Sequence, residues 1–186
     1  MKKIVFLLGI VCLFAFSAFA QTPNFAGEWK LDTSKLDERR AAMIKSQTIS
    51  VTQDANEIKA TTTTERNAPP AGGGGGQGGG GGRGMGGGGG FGGGDGTSTY
   101  KLDGSEVTTE RETPNGMKIP TKTKAKLNGG KLEVESSTTF NGPNGAVTNN
   151  SKSTWELSAD GKTLTVKTTR QTPNGEMTTE SVYKKS

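Results

Sequence analysis

Apolar and polar residues alternate with a period of two over much of the chain. Ile49 and Val51 begin the pattern, and Ile58, Ala60, Thr62 and Thr64 extend it. Leu132, Val134, Ser136, Thr138 and Phe140 form a longer run, followed by Leu164, Val166 and Thr168. A period of two places one face of a strand toward a core and the other toward water. Threonine suits a half-buried pleated surface because its β-branch restricts χ1. The runs are separated by turn residues: Pro114-Asn115-Gly116, Asn128-Gly129-Gly130, Pro143-Asn144-Gly145, Ala159-Asp160-Gly161 and Pro173-Asn174-Gly175. Proline sets φ for the first corner, and Gly or Asn accepts the positive φ that follows. Such short connections join antiparallel neighbours, since a parallel pair needs a crossover of about a dozen residues. Residues 110–116 echo residues 169–175, which fits a meander reusing one kind of turn.

One hairpin can be predicted to register. Leu127 opposite Leu132 places Ala125 against Val134 on the apolar face. It also sets Lys126 against Glu133 and Lys124 against Glu135 on the other face. A slip of one residue would oppose Lys126 and Lys131, so the charge pairs select the first register. The basic run Lys118, Lys122, Lys124 and Lys126 is then a charge-paired solvent face. It lacks the interleaved aromatics of a single-strand nucleic-acid binder, and no nucleic-acid partner is expected. One short helix is predicted, with Ser34 as cap, Asp37 three residues on, and Leu36, Met43 and Ile44 on one face.

Composition adds a leader and an interruption. Lys2 and Lys3, an apolar run over Ile4–Phe16 and the small residues Ala18 and Ala20 form a secretory signal over residues 1–20. The run is too short to span a bilayer as a helix, so no membrane span is expected after cleavage, and the protein is expected in the periplasm or outside the cell. The remaining domain, 21–186, is interrupted over 67–97, where 20 of the 25 residues from 72 to 96 are glycine. That tract cannot bury enough apolar surface to offset the entropy of ordering it, and is expected to be a disordered loop. Leu, Ile, Val and Phe supply only 20 of the 166 residues after the leader, so the core must be small. The 23 basic and 18 acidic residues give +5, and loss of Lys2 and Lys3 leaves 21 against 18, a weak +3.

The chain has no His, and its one Cys, Cys12, lies in the leader. Imidazole- and thiolate-dependent triads, zinc sites and haem ligation are thereby closed, and no cofactor or metal site is expected. The carboxylate pairs Glu110/Glu112 and Glu133/Glu135 have strand spacing compatible with a glycosidase, but as solvated faces they do not indicate an enzyme. No partner was evident for Tyr100, Lys152 or Tyr183.

Asn24-Phe25-Ala26-Gly27-Glu28-Trp29-Lys30-Leu31-Asp32 carries Gly-x-Trp at the start of the first strand. With the phrases over 99–106, 125–136 and 153–166, it resembles lipocalin-like (calycin-type) domains of secreted bacterial proteins. The resemblance implies an all-β, antiparallel up-and-down barrel of about 8–10 strands. Its structural signature would be Gly27, Trp29 and Arg170. Trp29 would pack at the closed end against a late arginine, Arg170, with Arg111 as rival. The glycine insertion and the threonine-rich inward positions depart from classical lipocalins. A barrel also follows from physics, because a meander of short strands must hide its edges. The expected function is small-molecule binding inside the barrel, with a modestly polar ligand. The alternative is a structural or protein-interaction module of the cell envelope with no such ligand.

Overall fold

The computed structural model describes residues 22–68, 95–112, 118–142, 145–172 and 175–186. The leader, most of the glycine tract and three of the turns lie outside them.

The domain is all-β, with ten antiparallel strands in a nearly closed barrel. Strand β1 is Gly27–Leu31. A 3-10 turn over Thr33–Lys35 and helix α1, Glu38–Met43, lead into β2, Ile44–Gln53. The remaining strands are β3 (Glu57–Arg66), β4 (Gly96–Lys101), β5 (Val107–Glu112), β6 (Lys118–Asn128), β7 (Lys131–Gly142), β8 (Gly145–Leu157), β9 (Thr163–Thr172) and β10 (Gly175–Lys185). The sheet order is β4-β3-β2-β1-β10-β9-β8-β7-β6-β5. Consecutive strands therefore pair throughout except β4 with β5, and β1 joins β10. Across the β4/β5 seam, an isolated bridge between Asp103 and Lys126 holds the lower end together.

The predicted registers are present. Leu127 faces Leu132, Ala125 faces Val134, and Lys126 faces Glu133. Gly129 and Gly130 make the intervening turn at φ +57° and +81°, a two-residue loop whose positive φ values match strand twist. The first residues of β4 fall within the span 67–97 assigned to the interruption. Gly96 and Thr97 pair with Thr62 and Thr61, and the Asp95 carboxylate accepts the Thr64 N–H at 2.6 Å.

The helix starts later than predicted. Its cap is Asp37, which accepts the Arg40 N–H at 3.0 Å. Ser34 is already engaged by Asp32, which accepts both its N–H and its hydroxyl, at 3.2 and 2.6 Å. Ser34 thus belongs to the 3-10 turn, and the extended backbone at Leu36 separates the two segments.

Along the barrel axis the interior changes character. Trp29, Trp155, Tyr100, Phe25, Ile49, Ile58, Leu132 and Leu164 fill one half with at most 1% exposure each. Trp155 meets the rings of Phe25 and Tyr100 edge-on at 5.9 and 5.6 Å, a favoured aromatic geometry. Phe25 closes this end from below β1. Its carbonyl accepts the Trp29 indole N–H at 2.8 Å, and its own N–H goes to the Gln53 side chain at 2.8 Å.

Candidate functional site

Above the apolar half, the same inward positions become hydroxyl-bearing. Strand β9 runs Leu164, Val166, Thr168, Arg170, and β8 answers with Trp155, Ser153 and Ser151. Ser153 bonds Thr168 at 2.9 Å, Thr121 bonds Thr138 at 3.0 Å, and Thr123 bonds Ser136 at 3.4 Å. Each pair joins neighbouring strands, so buried polar groups satisfy one another. The belt makes a floor between the filled apolar half and the open end.

Two arginines stand above that floor. Arg170 faces inward by the β9 alternation, beside Ser151 and Met177. Arg40 comes from α1. Strand β1 ends at Leu31, so the 3-10 turn and α1 continue the wall between β2 and β10. Asp32 N–H donates to Val182 O at 2.8 Å there. The Arg40 guanidinium donates to Glu180 O at 2.9 Å and to the buried Ser181 hydroxyl at 2.7 Å. Asn67 holds the far end of the helix, donating its side-chain N–H to Ala42 O at 3.0 Å. Burial, and then the repulsion of nearby Arg40, lowers the Arg170 pKa from its ordinary value.

Among the described residues, no carboxylate pairs with these cations. Among the described strand residues, every Asp and Glu stands at an outward-facing or terminal position, and neither arginine forms an ion pair. Next to them a buried chain of hydrogen bonds runs from the Tyr183 hydroxyl to Gln47 Oε1 at 2.7 Å and from Gln47 Nε2 to Thr64 at 2.9 Å. Burial pushes the Tyr183 phenol up to about 12, against smaller lowering effects from Ser181 and Arg40. At the rim, Val147 and Met177 also lie on the inward side of their strands, yet they are 57% and 50% exposed. Phe140, half-buried, is paired with Val147.

The signature residues separate in space. Trp29 is at the closed end, and the cation over its ring is Lys185, with Nζ 5.2 Å from the centroid. Gly27 has φ +135°, and a Cβ there would stand 2.8 Å from Lys185 Cε. The positive φ calls for glycine, while the flexible end of Lys185 could swing aside from a side chain there. Arg170 is six residues along β9 from Leu164, about 20 Å at strand rise, and belongs to the open end. Strand β9 carries it away from Trp29, so it does not take the role the resemblance implied. The rival Arg111 pairs through its backbone with Ile119, and its side chain lies outside the described residues. Arg40 drew no attention in the sequence, because its contact with Ser181 spans 141 residues.

The other sequence candidates form surface pairs. Lys118 meets Glu110 at 3.6 Å, Lys122 and Lys124 meet Glu106 at 3.1 and 3.9 Å, and Lys126 meets Glu133 at 3.5 Å. Lys124 thus pairs with Glu106, while Glu135 takes Lys152 at 3.3 Å. A hydrogen bond from Asn128, with Lys126 nearby, lowers the Glu133 pKa, the wrong direction for a general acid. Glu112 has its side chain outside the described residues. No group of metal-ligating side chains occurs among the described residues, and no helix there is long and apolar enough to cross a membrane.

No protein-family model and no curated protein matches the sequence. Among solved structures, the chain is similar to zebrafish ileal bile acid-binding protein in complex with cholic acid. The two are 16% identical over 87% of this chain and 98% of that one, with a TM-score of 0.44.

Proposed function

We propose that the protein binds a small amphipathic anion at the open end of the barrel, and that it is a carrier or receptor rather than an enzyme. The observation that carries this reading is the pair Arg40 and Arg170, two cations on the barrel's inner side that form no ion pair among the described residues. A guanidinium donates a planar fork of N–H groups that suits carboxylate, sulfonate or phosphate. The apolar half is filled by the protein's own side chains, so the ligand does not extend into it. Its anionic group points down to the hydroxyl floor and the arginines. Its apolar body lies against Met177, Phe140 and Val147 at the rim. On this reading the ligand lies in the polar half of the barrel, above the hydroxyl floor. Export by the 1–20 leader is part of the same proposal, and places the ligand in the periplasm or outside the cell.

The test is a fluorescence titration with anilinonaphthalene sulfonate, which joins a sulfonate to an aromatic body. Saturable enhancement is expected with the folded protein, weakened about tenfold or more in Arg170→Gln, as loss of a charged hydrogen bond implies. Affinity unchanged from the unsubstituted protein in both Arg170→Gln and Arg40→Gln would overturn the proposal.

A further inference from the structure

A second site lies on the outside of the barrel. The outward faces of β6 to β10 curl into an open groove of about 690 Å³, whose lining also takes in Ser136 and Ser151 from the inward positions. The pairing registers align one row of side chains straight across it. Lys122 on β6 is opposite Ser137 on β7, which is opposite Asn150 on β8. With Ser151 opposite Arg170, Asn150 neighbours Gln171 on β9, and Gln171 is opposite Glu176 on β10. The row therefore begins with a cation, continues through a hydroxyl and two amides, and ends with a carboxylate.

In the neighbouring row Lys124 stands beside Lys122, and the two share one carboxylate, Glu106, at 3.9 and 3.1 Å, which leaves that end with an excess positive charge. Mid-row, Lys152 on β8 is matched by Glu135 at 3.3 Å. At the other end the Glu176 carboxylate accepts only the Gln171 amide at 3.2 Å and forms no ion pair among the described residues. The groove is thus dipolar. Among the described residues, its lining holds no aromatic or large apolar side chain, so it selects for charge placement and amide hydrogen bonding.

Four strand spacings make the row about 19 Å long, the reach of five or six extended residues. We infer that this groove binds a short hydrophilic peptide lying across the strands. The peptide's amino or basic end sits at Glu176 and its carboxylate end at Lys122 and Lys124, while its backbone amides meet Ser137, Asn150 and Gln171. Exposed ion pairs of this kind contribute little singly and are screened by salt, so binding is weak and direction-dependent.

The experiment is an amide chemical-shift titration of the full protein at low salt. The probes are a free-ended peptide of six residues, lysine first, glutamate last and Gly/Ser between, and the same peptide reversed and blocked at both ends. The free peptide is expected to move the amides of Ser137, Asn150 and Gln171, and to bind about threefold or more tightly than the reversed, blocked one. Glu176→Lys, on the exposed surface, is expected to abolish that preference while leaving anilinonaphthalene sulfonate binding unchanged. Equal affinity for the two peptides, an undiminished preference in Glu176→Lys, or no shifts at millimolar peptide would each overturn the inference.

Discussion

Two buried tyrosines set how single residues respond to solvent. Tyr100 is wholly buried beside Trp155, and Tyr183 donates its hydroxyl to Gln47. Burial pushes both phenols up to about 12 from an ordinary 10.0. Below pH 10 both folded and unfolded chains keep these protons. As pH rises from 10 toward 12, the unfolded chain loses protons that the folded chain retains, so stability falls. Two pKa units correspond to roughly 2–3 kcal/mol per tyrosine. Urea unfolding at about pH 9 and about pH 11.5, either side of the ordinary phenol value, is expected to show a marked loss of stability at the higher pH. An unchanged midpoint would mean the phenols are reached by water. Residue-scale reading of the sequence had limits here too. Tyr183 showed no partner, because its acceptor Gln47 lies 136 residues away. Arg170 was singled out as a partner for Trp29, but Lys185, opposite Trp29 in the β1–β10 register, occupies that ring face.

Among the elements, the strands were legible and the helix was less so. The alternation Leu132, Val134, Ser136, Thr138 is inward in the structure as in the sequence, because a period of two leaves only one face to bury. The β6–β7 register was legible because a slip would oppose like charges. The helix start was not, since Asp32, Ser34 and Asp37 are all competent caps and Asp32 takes Ser34 for its own turn. This short element carries half of the proposed anion site. Asp37→Ala removes the cap that orders the Arg40 turn, at a cost of about 1 kcal/mol. Anilinonaphthalene sulfonate affinity is expected to fall severalfold, while the urea midpoint falls by no more than a loss of about 1 kcal/mol implies. Full affinity in Asp37→Ala would detach the helix from the site.

The whole molecule is a barrel graded along its axis: a filled apolar half, a hydroxyl belt, two arginines without an ion pair among the described residues, and an exposed apolar rim. The gradient was half visible in the sequence as strands that begin with Leu or Val and continue into Thr and Ser. What lay hidden was which wall Arg40 would complete, since β1 stops short and a helix replaces it. On the proposed function, an amphipathic anion enters this barrel head first, because the deep half is filled and the rim offers apolar contact. The most direct measurement is of intermolecular nuclear Overhauser effects between labelled decanoate and the protein. The account expects the methylene next to the carboxylate to contact Ser151, Arg170 and Ser181, and the terminal methyl to contact Met177 and Val147. A terminal methyl in contact with Trp155 or Leu164 would show a tail-first ligand in the apolar half and contradict the account.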